Sequence, residues 1–181
     1  ELSWARFDER VLEEALDQRH PLLERLKFLS IFSSNLDEFF MIRVSGLYWQ
    51  QQNGSVEAPP DGRTPEEQIR AIHQALIPLL ARQMTCWKDD LLPKLRGAGI
   101  QILPLSEIPR EATARLRDYF KAAILPALTP LAFDAAHPFP HISNLCMNLA
   151  IVLQDGGRHE RFARLKVPRL FPRLLRVPQE T

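Results

Sequence analysis

Pro21-Leu22-Leu23-Glu24-Arg25-Leu26-Lys27-Phe28-Leu29, running on to Ser33-Ser34-Asn35-Leu36-Asp37-Glu38-Phe39-Phe40, is the stretch on which the fold turns. Leu22, Leu26, Leu29, Ser33, Leu36, Phe40 and Leu47 recur at the three-four spacing that lines up side chains along an α-helix. Phe28, Phe32, Phe39 and Ile42 make a second stripe beside the first. A helix that is apolar on two adjacent faces has two neighbours to pack against. The pattern therefore predicts the central helix of a bundle over about residues 21–50, with Pro21 in the first turn, where its missing N–H is no loss.

Working outward, residues 3–16 read as a preceding helix. Ser3 is its expected N-cap, and Trp4, Phe7, Val11 and Ala15 are its expected apolar face. His20-Pro21 ends it, because the residue before proline is pushed out of the helical region. On the other side, Asn53-Gly54, Pro59-Pro60 and Asp61-Gly62 mark a loop. Thr64-Pro65-Glu66-Glu67 then has the form of a capping box. The third helix carries Ile69, Ile72, Leu76, Leu79, Gln83, Trp87 and Leu91. Pro78 is expected to kink it, and Gly97 or Gly99 to stop it behind Lys94 and Arg96. Three amphipathic helices with short links predict an up-down-up bundle over residues 1–98.

Beyond Gly99 the character changes. Residues 100–105 are expected to form a short strand and residues 109–124 a helix with Leu116, Tyr119, Phe120 and Ala123 inward. Pro126, Pro130, Pro138 and Pro140 predict an irregular segment. Alternation over residues 144–154 predicts a strand, Asp155-Gly156-Gly157 a turn, and residues 161–167 a returning strand with Ala163, Leu165 and Val167 on one face and Arg164 and Lys166 on the other. A two-stranded hairpin is marginal alone. Its partners are expected beyond residue 181 or on the fourth helix. The fold class is thus mainly α: a three-helix up-down bundle (1–98) followed by an incomplete α+β segment (99–181).

The 181 residues are 45% hydrophobic and 25% charged, the profile of a globular chain, and Lys plus Arg at 23 against Asp plus Glu at 22 leaves a net charge of +1. That balance points away from a duplex nucleic-acid binder. The local exception is the basic stretch 158–176, with Arg161, Arg164, Lys166, Arg169 and Arg173, which reads either as a solvated face with a frayed tail or as a surface for a polyanion. Cys86 and Cys146 cannot make a disulfide framework, so a reducing cytoplasm is expected. No apolar run reaches the roughly 18 residues of a transmembrane segment, and the mixed, acidic first residues are no signal peptide. The abrupt ends, Glu1 and Thr181, predict a piece of a longer protein.

Three groups of residues invite a chemical reading. Ser33, Ser34, Asn35, Asp37 and Glu38 interrupt an otherwise apolar helix, where such side chains compete for backbone bonds. The Asn35 amide can donate and accept at once, as an adenine edge requires; equally, it can bond a neighbouring helix and fix register. Asp37 and Glu38 could bind Mg²⁺ or act as acid and base, but adjacent residues point about 100° apart on a helix, so ion pairs with helix neighbours, Arg43 included, are the expectation. His137-Pro138-Phe139-Pro140-His141 has the spacing of a metal pair, but its prolines enforce extended backbone and no Cys or carboxylate cluster completes a site. Neither a Walker-type loop nor a dinucleotide fingerprint is present. No catalytic residue and no metal ligand is therefore assigned.

Glu1-Leu2-Ser3-Trp4, Asp8-Glu9-Arg10-Val11-Leu12, the segment 21–29 and Ser33 to Phe40 closely resemble the start of bacterial-type polyphosphate kinases. Leu128-Thr129-Pro130-Leu131-Ala132 and His137-Pro138-Phe139-Pro140 through Ser143-Asn144-Leu145 extend the resemblance over essentially the whole chain. Asp8 stands where that family usually has Asn, and His141 where Phe is common. The resemblance implies a helical N-terminal domain and the beginning of a head domain involved in dimer contacts. It implies an enzyme that adds the γ-phosphate of ATP to polyphosphate, reversibly and with Mg²⁺, through a phosphohistidine carried further along the chain. None of the five histidines here matches that motif. In the family the Asn of the S-N-L-D-E-F segment contacts the nucleotide base, which falls on Asn35. The implied partners are ATP, ADP and polyphosphate, with a second copy of the chain. The fragment should be inactive alone and hold neither ATP nor Mg²⁺ tightly. Its expected place is the cytoplasm, with room for peripheral association at a membrane. The alternative, from another class, is a non-catalytic helical dimerisation or docking module.

Overall fold

The structure, a computed structural model, describes residues 1–54, 62–133, 141–154 and 160–177. The loop residues Pro59, Pro60 and Asp61, the motif residues His137 to Pro140, the turn Asp155-Gly156-Gly157, Arg158 and the last four residues lie outside that description. Its contacts divide the chain into two units, Glu1–Ile102 and Leu103–Thr181.

In the first unit, α1 (Leu2–Leu16) begins one residue earlier than expected. Glu1 is its N-cap, Ser3 lies inside the first turn, and no side chain caps the helix end. Its buried face is Ala5, Asp8, Leu12 and Ala15, while Phe7 is 53% exposed. The expected face is thus turned by about one residue. Small Ala5 and Ala15 allow close approach of the next helix, and Trp4 and Val11 only flank the core.

The central helix is α2 (Leu22–Phe39), a five-residue π turn (Phe40–Val44) and α3 (Ser45–Asn53), ended by Gly54 in the left-handed region. Pro21 sits just outside, at the N-cap. Arg25, Leu29, Phe32, Leu36 and Phe39 are buried before the π turn, and Val44 and Leu47 after it. The step from 39 to 44 is one residue longer than an α-helix would need. The π turn absorbs that extra residue, and Phe40 and Ile42, expected inward, are exposed.

The third helix repeats the device. It comprises α4 (Pro65–Thr85), a π turn (Cys86–Leu91) and α5 (Leu92–Gly97). Ile69, Ile72, Leu76, Leu79, Cys86, Leu91 and Leu95 are its buried residues, and again the long step, 86 to 91, spans the π turn. The capping box is present: the Glu67 N–H donates to Thr64 Oγ1 at 3.2 Å and the Thr64 N–H donates to Glu67 Oε2 at 2.8 Å. The helix runs unbroken through Pro78 on its exposed face. There, water can take the carbonyl that proline leaves unbonded. Gly99, at φ 83°, closes the end, where the Ile100 N–H donates to the Leu95 carbonyl at 2.9 Å. α1 packs along α2 and α4, and α3 packs on α4, giving the expected three-helix arrangement.

Beyond Gly99, the expected strand at 100–105 is absent. Those residues are irregular and lead into a 3-10 turn (Leu105–Glu107) capped by Pro104, which has no N–H for a ladder. α6 (Arg110–Tyr119) follows, continued by a π turn (Phe120–Ile124) and a 3-10 turn (Leu125–Ala127). Ala112 is its buried residue and Leu116 is half-buried; Tyr119, Phe120 and Ala123, expected inward, are exposed. The sheet has three antiparallel strands in the order β1 (Pro130–Phe133), β3 (Glu160–Lys166), β2 (Asn148–Gln154). One partner of the hairpin, β1, therefore comes from the proline-rich segment taken as irregular. Pro130 is tolerated there as the first residue of an edge strand. β2 starts at Asn148, not at residue 144, because Leu145 takes a positive φ of 54° in the turn before it.

Candidate functional site

Asn35 lies on α2 against α1. Its Nδ2 donates to Asp8 Oδ1 at 2.8 Å. Asp8 is fully buried, and its Oδ2 has no partner among the described residues. Burial pushes its pKa up from 3.8 to about 6, with the Asn35 hydrogen bond pulling weakly the other way. One helical turn along, Trp4 and Phe39 stack face to face, 4.0 Å apart and 5° from parallel. Residues 8 and 35, like 4 and 39, are rungs of one antiparallel helix pair: a polar rung beside an aromatic one. Asn35 is half-buried, and no described residue occupies its Oδ1. One N–H and one carbonyl oxygen of the amide are thus left over, which is the donor-plus-acceptor set that matches an adenine edge.

The other polar residues of the segment separate by role. Gln83 Nε2 donates to Ser33 Oγ at 2.5 Å, tying α4 to α2. Ser34, Asp37 and Glu38 are exposed. The ion pairs expected for Asp37 and Glu38 do not form among the described residues, and Arg43 faces Glu1 at 3.7 Å instead. The described residues contain no group of three or more His, Cys, Asp or Glu able to hold a metal ion. His141 is exposed, and its companion His137 lies outside the described residues.

A second polar centre in the same unit is structural. Arg25 is only 2% exposed; its Nε donates to the Ala15 carbonyl at 2.8 Å and a terminal nitrogen pairs with Asp90. Lys94 and Arg25 together hold the Asp90 carboxyl below the usual range. The adjacent Cys86 thiol is raised by burial and is no nucleophile.

The second unit holds a cavity of about 670 Å³ on the face of β3, lined by Thr129, Leu131, Ser143, Arg164, Lys166 and Arg169 among others. Arg164 and Lys166 share a face, as the alternation predicted, but Arg164 is buried at 7% exposure. Asp8, Arg25 and Arg164 were the polar positions sequence reasoning missed as buried. For Asp8 a signal was there: residues 8, 12 and 15 share a helical face, and a polar Asn35 inside a helix needs a partner.

Known proteins bear on these features. Residues 1–103 match the family model of the polyphosphate kinase N-terminal domain, and residues 111–181 that of the polyphosphate kinase middle domain. The polyphosphate kinase of Thermosynechococcus vestitus is 49% identical over 98% of this chain and 24% of its own length. That of Streptomyces coelicolor is 47% identical over 97% of the chain and 24% of its own length. The crystal structure of polyphosphate kinase from Porphyromonas gingivalis superposes with a TM-score of 0.82 at 30% identity, over 99% of this chain and 26% of that one. The chain spans about a quarter of the length of these relatives.

Proposed function

The chain belongs to the polyphosphate kinase family, and from that premise we propose that it is the base-positioning portion of an enzyme that moves the γ-phosphate of ATP onto polyphosphate. In this reading the phosphohistidine chemistry belongs to residues outside this chain, as do the groups that hold Mg²⁺ on the phosphates. The chain by itself is inactive, works in the cytoplasm and binds ATP weakly. The observation that carries the reading is the Asp8–Asn35 pair. Asp8 takes one N–H of Asn35, which fixes the amide and leaves its other N–H and its Oδ1 without a partner among the described residues. An adenine amino group would donate to Oδ1, while a ring nitrogen would accept from the free N–H. The amide contributes about 1–2 kcal/mol to such a contact. The second unit serves interdomain or dimer contacts: Leu149, Val152, Leu153, Leu170 and Leu174 are exposed there. Among the described residues, no helix is long and apolar enough to cross a membrane.

The test is Asn35→Ala in the complete enzyme. We expect KM for ATP to rise about tenfold, the equivalent of ~1.4 kcal/mol, with kcat and the melting temperature nearly unchanged. The second reading, a docking module without ligand, draws on the same hydrogen bond as a register device between α1 and α2. Under it Asn35→Ala would lower stability or dimerisation and leave KM alone.

A further inference from the structure

We propose that the β3 cavity of the second unit is a binding site for a condensed-phosphate anion, held by Arg164, Lys166 and Arg169. The argument starts from Arg164. It sits on the central strand, opposite Leu131 of β1 and Ala150 of β2, and is buried. Its Nε donates to Asn148 Oδ1 at 2.7 Å, a neutral acceptor. No carboxylate pairs with it among the described residues. A guanidinium withdrawn from water without a counter-charge is strongly unfavourable. Its terminal nitrogens have no partner among the described residues, yet they are not among the buried polar atoms left unsatisfied, and Arg164 lines the cavity. The missing counter-charge has room there.

The surroundings select the kind of anion. Lys166 lies two residues further along the same face of β3, and Arg169 lines the same cavity. Arg169 uses one terminal nitrogen on the Leu145 carbonyl at 3.1 Å, which holds it against the turn before β2. Thr129 and Ser143 add hydroxyls, and no Asp or Glu lines the cavity among the described residues. Three cations around a single volume exceed what one carboxylate neutralises. An anion with several charges, spaced along a chain and each with oxygens for a guanidinium fork, fits them. The volume lies within the range of small-ligand sites. The basic stretch of the sequence thus has one part that is not a solvated face. The choice of anion and the test in the complete enzyme rest on the proposed function; the base-binding role of Asn35 is not assumed.

The experiment titrates the 181-residue chain with sodium tripolyphosphate at fixed ionic strength, read by amide and arginine Nε–H NMR shifts. Shifts centred on Arg164, Lys166 and Arg169, at least tenfold weaker with orthophosphate, are the expected result. Lys166→Gln, an exposed position whose loss leaves the fold intact, should weaken tripolyphosphate binding at least threefold, and Arg164→Gln should abolish it. The same Lys166→Gln change in the complete enzyme should raise KM for polyphosphate and leave KM for ATP unchanged, which separates this site from the one at Asn35. Shifts spread evenly over all surface cations, equal affinity in Lys166→Gln, or no effect on polyphosphate KM in the complete enzyme would each overturn the proposal.

Discussion

Each unit of this chain buries an arginine, and the two are treated in opposite ways. Arg25 in the first unit has a carboxylate, Asp90, and a backbone carbonyl within its own bundle. Arg164 in the second has only the amide oxygen of Asn148. The apolar cores differ in the same sense. Leu12, Phe32, Ile72 and Leu91 are completely buried in the bundle, whereas Ala112 and Ala163 are the buried apolar residues among those described beyond residue 102. The bundle gives its buried arginine a counter-charge and closes an apolar core around its helices. The sheet unit leaves both open, and an open requirement is where a ligand or another surface has something to gain.

The sharpest way to break this comparison is to remove each arginine in turn. Arg25→Ala should destabilise the bundle by about 2–4 kcal/mol, since it empties a buried site and takes away the donor to the Ala15 carbonyl, while Asp90 keeps Lys94 as its cation. Arg164→Ala should cost less than about 1 kcal/mol in phosphate-free buffer, because it also removes an uncompensated charge. Urea denaturation of both variants decides it. Equal losses would mean that Arg164 is as fully satisfied as Arg25.

A second test stays within the bundle and reverses the sign. Between pH 3.8 and about 6 the folded chain keeps the proton on Asp8 that the unfolded chain has released, so this group's contribution falls as pH rises; above 6 it amounts to a loss of about 3 kcal/mol. Asp8→Asn should therefore raise stability by about 2–3 kcal/mol at pH 7.5 and by almost nothing at pH 4, as read from unfolding midpoints across that range. Asp90, whose pKa is depressed, works the other way: its contribution is present above the ordinary carboxylate pKa and disappears in acid. The smallest expected effect is at the capping box. Thr64→Ala should cost about 1 kcal/mol and should leave ligand responses of the second unit untouched.

The bundle was legible in the sequence because period and burial coincide there. Ile69, Ile72, Leu76 and Leu79 were placed correctly, as was the Thr64 cap. The face of α1 was only partly so: Ala15 was placed correctly, but large Trp4 and Phe7 suggested one side, whereas close packing on α2 favours the smaller Ala5 and Asp8. Asn35 stood out as a polar residue in an apolar helix, whereas the only mark on its partner Asp8 is the helical face it shares with Leu12 and Ala15. β1 was hidden by the prolines around it. A strand that begins at Pro130 needs only its later N–H groups for the ladder. The burial of Arg164 depends on three strands meeting, a long-range fact that alternation along β3 does not contain.

The π turns at Phe40–Val44 and Cys86–Leu91 separate two quantities that an α-helix normally locks together, its length and its phase. In an ordinary helix, losing one residue swings everything beyond it by about 100°. Here, taking one residue out of either turn would bring 36, 39, 44 and 47, or 86, 91 and 95, onto an unbroken three-four rhythm with the same side chains inward. Each rod thus carries a spare residue, a vernier by which its length can be trimmed without re-aiming the core.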